Sequence, residues 1–253
     1  MPVITINGRA VHYQQLNEQA TDTVLLVHGM FSNLAVYYFH IAPILAQHFR
    51  VVMYDMKGHG MSDRAESGYH LEAMAADMQA LMQVLRLPAV HLAGYSFGAL
   101  VALKAALEYP QRIRRLGLIE GPDPADKRML EGIAQYNRDM LLDYVEKNDS
   151  QVLTTGGRRR LEKMHRRFEY LFHETTIRND MEKEHAFFED AAIRALPHDT
   201  LLMYGRSSDC VGAGELLHNR ISRSNLVLIE GDHTVPVQQP AVIGERLTTF
   251  FNN

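Results

Sequence analysis

The sequence predicts an α/β fold, with a mostly parallel sheet and helices on both of its faces. Short apolar runs alternate with segments of helical periodicity along most of the 253 residues. Several of these runs end in glycine, as expected of buried parallel strands. The alternation stops over residues 122–196 and then resumes. Alternating strands and helices imply right-handed crossovers, and the interruption predicts a helical cap inserted after the sixth strand.

Six strands are predicted before the interruption. "VITI" and "AVHYQQL" flank Asn7-Gly8, a dipeptide that favours the tight turn of a hairpin. Apolar residues recur at spacings of three and four over 69–86, which is typical of a helix. The other predicted strands are 23–29, 50–55, 89–94 and 113–121, and the other predicted helices are 36–48 and 97–109, the last closed by Pro110.

The rest of the chain divides into the interruption and a return to the sheet. Helix-like segments in the interruption cover about 126–148, 158–173 and 181–195. They are followed by a strand over 199–205, a helix over 213–221, a strand over 225–231 and a helix over 239–251. We therefore expect a core domain of residues 1–121 and 197–253 and a cap of residues 122–196.

Composition excludes several classes of protein. A net charge of −4 and a pI near 6.3 argue against a nucleic-acid partner, because a protein that binds nucleic acid normally has a dominant basic face. No apolar run approaches the length of a membrane span, and the N-terminus lacks the pattern of a signal peptide. A single cysteine, Cys210, excludes an internal disulfide and fits a reducing compartment. We expect a cytoplasmic protein, and no Cys/His cluster has the spacing of a metal site.

A serine between two glycines follows the fifth strand. In "LAGYSFGALVALKAAL", Ser96 is flanked at two residues on either side by Gly94 and Gly98. Glycines allow strand and helix to approach closely, and the sharp turn between them lifts the hydroxyl above the sheet edge. The helix N-terminus then points towards the hydroxyl. The motif predicts a nucleophile, although a Gly/Ser-rich turn has the same composition.

The other reactive side chains also follow strands. His233 lies after the last strand and can act as the base that a serine hydroxyl needs at neutral pH. Asp209 follows the preceding strand and can fix the tautomer of the histidine. Along the chain the order is serine, acid, histidine, the order that accompanies a nucleophile elbow on a sheet of this kind. Glu120, directly after the sixth strand, is the alternative acid, and Asp209 would then be a helix cap.

Backbone donors for an oxyanion are expected beside the serine. The N–H groups of Phe97, directly after the nucleophile, and of Met30, after the third strand, are the natural pair. We expect His28 to brace this loop rather than to transfer protons.

Five segments together resemble the α/β-hydrolase fold superfamily over nearly the whole chain. In order they are "VLLVHGM" (oxyanion segment), "VVMYDMKGHGMSD", "LAGYSFGA" (nucleophile elbow), "LLMYGRSSD" (acid loop) and "EGDHTVPVQQP" (histidine loop). The resemblance implies an α/β-hydrolase fold, with Ser96, Asp209 and His233 as the triad. Many relatives have a glycine where this chain has Ala99. Serine at the nucleophile position argues against haloalkane dehalogenases and epoxide hydrolases, which use aspartate there.

The cap is expected to shape the substrate site. Its aromatic and methionine content predicts an apolar cavity, with the candidates Tyr136, Met140, Tyr144 and Phe168. Residues 151–170 carry six basic and two acidic side chains, including Arg158, Arg159 and Arg160. This run could hold an anionic substrate, CoA or an acyl carrier protein. A solvated helix face paired with acidic neighbours is the simpler interpretation.

These expectations favour a serine hydrolase of a carboxylic ester or thioester with an apolar acyl part. The substrate would be a small molecule, and neither a metal nor an organic cofactor is expected. Three alternatives remain open. They are a hydrolase of a lactone or carbon–carbon bond, a lyase or synthase resembling the menaquinone-pathway enzyme of the superfamily, and a ligand receptor without useful turnover.

Overall fold

Eight strands form one sheet in the order β1-β2-β4-β3-β5-β6-β7-β8. The structure is a computed structural model that describes residues 2–126 and 155–253, without the side chains of 155–161 and 164. The strands are β1 (Val3–Ile6), β2 (Arg9–Leu16), β3 (Thr23–Val27), β4 (Arg50–Tyr54), β5 (Val90–Tyr95), β6 (Ile113–Ile119), β7 (Thr200–Gly205) and β8 (Ser224–Ile229). β1 pairs antiparallel with β2 and β2 with β4, and every later pairing is parallel. The predicted fold class is confirmed.

Ten α-helices connect the strands in the described residues. They are α1 (Ala35–Tyr38), α2 (Ile41–Leu45), α3 (Leu71–Val84), α4 (Phe97–Glu108), α5 (Thr155–His173), α6 (Ile177–Lys183), α7 (Ala191–Arg194), α8 (Val211–Arg220), α9 (Val235–Gln238) and α10 (Pro240–Asn252). Two short 3₁₀ helices cover Pro110–Arg112 and Glu184–Glu189. None of the described helices is long and apolar enough to cross a membrane.

Alternate strand residues pack into two apolar layers. In β3, Leu25 and Val27 face the layer that contains α3 and α4, whereas Val24 and Leu26 face the layer that contains α2 and α10. All four side chains are fully buried. Because side chains alternate along a strand, burial on both faces requires the continuous apolar runs seen in the sequence.

One predicted helix is divided in the structure. The segment predicted as a single helix over 36–48 forms α1 and α2, separated by Phe39 and His40. Pro43 gives a physical reason, because proline has no N–H to donate to the carbonyl of Phe39 and its ring would clash there. Proline is tolerated in the first turn of α2, where no such donor is required.

The described part of residues 122–196 contains helices and no strand. Residues 155–196 form α5, α6, a 3₁₀ turn and α7, close to the predicted helices over 158–173 and 181–195. The predicted helix over 126–148 lies almost entirely outside the described residues. The division into a core and a cap stays a prediction.

Candidate active site

The backbone at Ser96 makes a strained turn between β5 and α4. Ser96 has φ of 55° and ψ of −121°, in the region that L-residues rarely occupy. A Cβ added at Gly94 would lie 2.0 Å from the carbonyl oxygen of Gly98, and one at Gly98 would lie 2.3 Å from that of Val27. Both glycines are therefore required by close backbone contacts, as the sequence motif predicts.

Ser96 lies within hydrogen-bond distance of His233. The hydroxyl of Ser96 is 3.1 Å from Nε2 of His233, on the loop that follows β8. The Tyr95 hydroxyl donates to the carbonyl of His233 over 2.9 Å. Asp232, in the same loop, accepts hydrogen bonds from the backbone and side chain of Thr234. These contacts hold the imidazole towards the serine.

Glu120, rather than Asp209, lies beside the other nitrogen of the imidazole. Nδ1 of His233 is 3.0 Å from Oε2 of Glu120, whose side chain is fully buried. A carboxylate only accepts hydrogen bonds, so Nδ1 carries the proton and Nε2 is free to accept one from Ser96. The expectation that Asp209 contacts His233 is corrected, since Asp209 is exposed and no hydrogen bond joins the two among the described contacts.

The local backbone explains why Glu120 reaches this position. Glu120 directly follows β6, the neighbour of β5, and has φ of 54°. Its carboxylate accepts hydrogen bonds from the backbone N–H of Gly205 and the hydroxyl of Ser208. Asp209 lies further from its strand, next to the start of α8. The carboxyl group at the first position after β6, which made Glu120 the alternative acid, was the signal in the sequence for this contact.

The protonated form of His233 is stabilised by its neighbours. Burial lowers the pKa of His233, but its hydrogen bonds and electrostatic interactions with Cys210 and Glu120 outweigh the effect of burial. They raise the pKa from 6.5 to about 10. The Cys210 sulfur lies 3.5 Å from Nδ1. The site thus favours the imidazolium that forms when a serine gives up its proton.

The loop carrying Met30 passes directly beside the serine. A Cβ added at Gly29 would lie 3.1 Å from Cβ of Ser96. His28 is fully buried, accepts a hydrogen bond from the N–H of Met56 and lies 2.7 Å, through Nδ1, from the Gly29 carbonyl. Burial lowers its pKa to about 4, so it is neutral. His28 therefore braces this loop.

Helix α5 covers the loop beyond Met30. The Phe168 ring is 4.9 Å from that of Phe31 and stacks on that of Phe172 at 5.3 Å. These rings form an apolar wall next to the segment expected to bind the oxyanion.

The remaining candidates of the cap lie beyond what the structure describes. Tyr136, Met140 and Tyr144 fall outside the described residues, and Arg158, Arg159 and Arg160 belong to α5 without described side chains.

A cavity of about 620 Å³ opens between α5 and the loop that follows β4. Arg64, Lys163, Arg166 and Arg167 line it, together with Glu162. Arg167 donates to the carbonyl of Gly60 over 2.7 Å, and Arg64 lies over the Tyr170 ring. β3 separates β4, which leads into this loop, from β5, which leads to Ser96.

Comparisons with known proteins agree with this architecture. The sequence profile of the alpha/beta hydrolase fold matches residues 22–252. A 2-hydroxymuconate semialdehyde hydrolase from a Pseudomonas species is 29% identical over 190 residues, which cover 68% of this chain and 64% of the relative. A dihydrolipoyllysine-residue acetyltransferase component of an acetoin cleaving system from Pseudomonas putida is 32% identical over 140 residues, 54% of this chain and 38% of the relative. In several curated relatives the matched segment spans only 34% to 41% of the relative's own length.

Solved structures share the fold over the whole chain. A meta-cleavage product hydrolase from Pseudomonas fluorescens has a TM-score of 0.84 at 23% identity, covering 100% of this chain and 97% of its own. An enol-lactonase from Burkholderia xenovorans has a TM-score of 0.77 at 20% identity, covering 100% of both chains. The family profile spans most of this chain, and the chain belongs to the α/β-hydrolase fold family.

Proposed function

We propose that this protein is a serine hydrolase in which Ser96, His233 and Glu120 act as nucleophile, base and acid. The observation that carries the proposal is the continuous contact from the Ser96 hydroxyl to His233 at 3.1 Å and from His233 to Glu120 at 3.0 Å. A serine hydroxyl needs such a base, and the base needs a partner that fixes its tautomer.

The reaction proceeds through an acyl-enzyme. Oγ of Ser96 attacks the substrate carbonyl while its proton moves to Nε2 of His233, and Glu120 stabilises the imidazolium. The N–H groups of Met30 and Phe97 hold the negative oxygen that develops, an interaction that contributes about 3–4 kcal/mol per donor in a well-studied protease. The imidazolium then protonates the leaving group, and a water activated by the same histidine releases the acid and restores Ser96.

The substrate class is a small carboxylic ester or thioester with a mainly apolar acyl part. Phe168 and Phe172 are buried against Phe31, one residue beyond Met30. An acyl chain bound with its carbonyl at Met30 therefore meets the partly exposed ring of Phe31, which the buried rings of Phe168 and Phe172 support. Tyr136, Met140 and Tyr144, which fall outside the described residues, stay further candidates for substrate binding on their sequence alone.

Hydrolysis of a bond other than an ester is the second candidate. The chain is similar to a 2-hydroxymuconate semialdehyde hydrolase and shares its fold with an enol-lactonase and a meta-cleavage product hydrolase, none of which is named an esterase. A lactone or a carbon–carbon bond beside a carbonyl is the alternative bond that we propose. The same serine, histidine and acid can serve either bond, since both reactions develop negative charge on a carbonyl oxygen.

The basic cavity supports an anionic group in the substrate. Its four cationic side chains outnumber the single acidic one, and α5, which lines it, also packs against Phe31 in the loop beside Ser96. CoA and the phosphopantetheine arm of an acyl carrier protein both carry phosphate at some distance from the acyl group. An acyl-CoA thioester is therefore the anionic substrate to test first.

A substrate panel tests the proposal. Purified protein is assayed with p-nitrophenyl esters of increasing chain length, acyl-CoA thioesters, lactones and vinylogous diketones, and Ser96→Ala is the control on every substrate. Turnover that depends on Ser96 and on acyl chain length supports the main proposal. Turnover of diketones alone supports the second candidate. Ser96-independent turnover, or ligand-dependent thermal stabilisation without turnover, would refute a serine hydrolase and favour a lyase or a receptor.

A further inference from the structure

Three different metal-ligating side chains meet at Nδ1 of His233. Oε2 of Glu120 lies 3.0 Å from this nitrogen and Sγ of Cys210 lies 3.5 Å from it. The three ligand atoms all lie within 4.8 Å of one another. In the sequence these residues are far apart and have no metal-binding spacing, so the fold alone brings them together.

Two of the three separations, those that involve Nδ1 of His233, fit a tetrahedral cation that accepts sulfur and nitrogen. With Zn–S near 2.3 Å and Zn–N and Zn–O near 2.0–2.1 Å, tetrahedral ligands lie about 3.6 Å apart for sulfur and nitrogen and about 3.4 Å for nitrogen and oxygen. The observed distances of 3.5 and 3.0 Å are close to these values. A thiolate, an imidazole and a carboxylate leave one position for water, as in zinc sites with three protein ligands.

The surroundings provide both support and access. Glu120 is held by hydrogen bonds from Gly205 and Ser208, the kind of outer contact that orients a ligating carboxylate. The His233 side chain is 40% exposed and Cys210 is half-buried. An ion can therefore enter from solvent without unfolding the site.

We propose that Glu120, Cys210 and His233 form a binding site for a thiophilic divalent cation, represented by Zn²⁺, and that its occupation switches the hydrolase off. Binding rests on the geometry of these three side chains alone, whereas the inhibition rests on the proposed function.

Inhibition follows from the position of one proton. In the active form of the free site, with His233 neutral, Nδ1 carries the proton and Nε2 accepts the hydrogen bond of Ser96. A cation bound to Nδ1 uses the lone pair of that nitrogen, so a neutral imidazole must carry its proton on Nε2. Cys210 releases its thiol proton to solvent when it binds as thiolate. Nε2 then cannot take the proton of Ser96, and the serine loses its base.

Binding is tested in Ser96→Ala protein, which keeps all three ligands and has no nucleophile. Co²⁺ is titrated as a spectroscopic substitute for Zn²⁺, and absorption from thiolate-to-cobalt charge transfer is recorded. Because Cys210 is the single cysteine of the chain, this absorption reports that residue alone. We expect saturation at one Co²⁺ per chain and displacement by Zn²⁺.

Two variants in the same background serve as controls. Cys210→Ser should lose the charge-transfer absorption, and Asp209→Asn, which removes the exposed carboxylate next to Cys210, should keep it. Circular dichroism checks that both remain folded. Absence of the thiolate absorption in folded Ser96→Ala, or saturation at one Co²⁺ per two chains, would overturn the proposed site.

Inhibition is measured as the rate at which a fluorophosphonate labels Ser96, which requires no known substrate. Zn²⁺ should slow labelling, EDTA should restore it, and Cys210→Ser should raise the half-inhibiting Zn²⁺ concentration about tenfold or more. Equal inhibition of Cys210→Ser would refute the switch. If the metal-free protein is not labelled, the proposed function is refuted instead. The cobalt titration then still decides whether Glu120, Cys210 and His233 bind a cation.

Discussion

At the scale of single residues, the backbone of Ser96 is held in a conformation that costs on the order of 1–3 kcal/mol. The contacts that maintain it lie in the backbone, including the bond from the N–H of Ser96 to the carbonyl of Ile119. Replacing the hydroxyl should therefore remove the nucleophile and leave the turn in place.

We predict that Ser96→Ala abolishes covalent labelling by a fluorophosphonate without changing the unfolding temperature by more than a few degrees. Turnover should fall by on the order of 10⁶-fold, as in a well-studied protease, and His233→Ala should cost about as much because the residues act as a unit. Intact-mass spectrometry measures the label. A label that persists in Ser96→Ala would assign the nucleophile elsewhere.

The acid is tested by a pair of amide substitutions. Glu120→Gln should reduce kcat by up to about 10⁴-fold, because an amide can present its N–H to Nδ1 and favour the wrong tautomer. Asp209→Asn should change kcat only slightly, since Asp209 is exposed and makes no described contact with His233. Steady-state kinetics of both variants decide the point, and a larger loss in Asp209→Asn would reverse the assignment.

The raised pKa of His233 predicts a pH dependence. A base must be unprotonated, so kcat/KM should rise with pH as His233 loses its proton, towards the pKa of about 10. Removing Cys210 takes away one of the interactions that favour the protonated form. In Cys210→Ala the rising limb of the kcat/KM profile should therefore move to lower pH. Movement to higher pH would mean that Cys210 stabilises the neutral histidine.

At the scale of elements, the close approach of β3 and α4 makes Gly98 structurally critical. A Cβ at Gly98 would lie 2.3 Å from the carbonyl oxygen of Val27 and 2.4 Å from that of His28. Gly98→Ala should lower the free energy of unfolding by about 1–3 kcal/mol, the usual cost of overpacking.

Gly212, near the start of α8, is the matched control, because nothing lies within 4 Å of a Cβ placed there. Gly212→Ala should be neutral or stabilising by up to about 1 kcal/mol. Urea unfolding of both variants measures the difference, and equal stability would show that α4 can shift away from β3.

Helix α5 contributes two exposed cations to the basic cavity, Lys163 and Arg166. In the double variant Lys163→Gln/Arg166→Gln we expect KM for acyl-CoA to rise about 3–10-fold, since exposed charges contribute roughly 0–1 kcal/mol each. KM for neutral p-nitrophenyl esters should not change, and added salt should reduce the difference.

Glu162, the acidic side chain of the same cavity, provides the control of opposite sign. Glu162→Gln should lower KM for acyl-CoA. Equal effects of the double variant on neutral and anionic substrates, insensitive to salt, would indicate altered packing of α5 instead of charge.

At the scale of the whole molecule, the sheet order determines which loops can meet. The strands that precede Ser96, Glu120 and His233 are β5, β6 and β8, which run parallel in one half of the sheet, with β7 between β6 and β8. Their carboxyl ends share one edge, which is where ligands bind in open parallel sheets.

The apolar runs in the sequence predict the bounds of these strands to within one or two residues at most boundaries. The elbow glycines and the histidine loop follow from local backbone requirements that a sequence displays directly.

The sequence by itself determined the fold class, the turn at Ser96 and the loop that carries His233, because each depends on residues that are neighbours in the chain. It left open whether Glu120 or Asp209 orients the histidine, since both follow strands. Only the tertiary structure decided this contact. Strand pairing places the carboxylate of Glu120 beside Nδ1 of His233, and hydrogen bonds from Gly205 and Ser208 hold it there. The approach of Cys210 to the same nitrogen has the same origin, because a contact across 23 residues is set by strand pairing and carries no local signature.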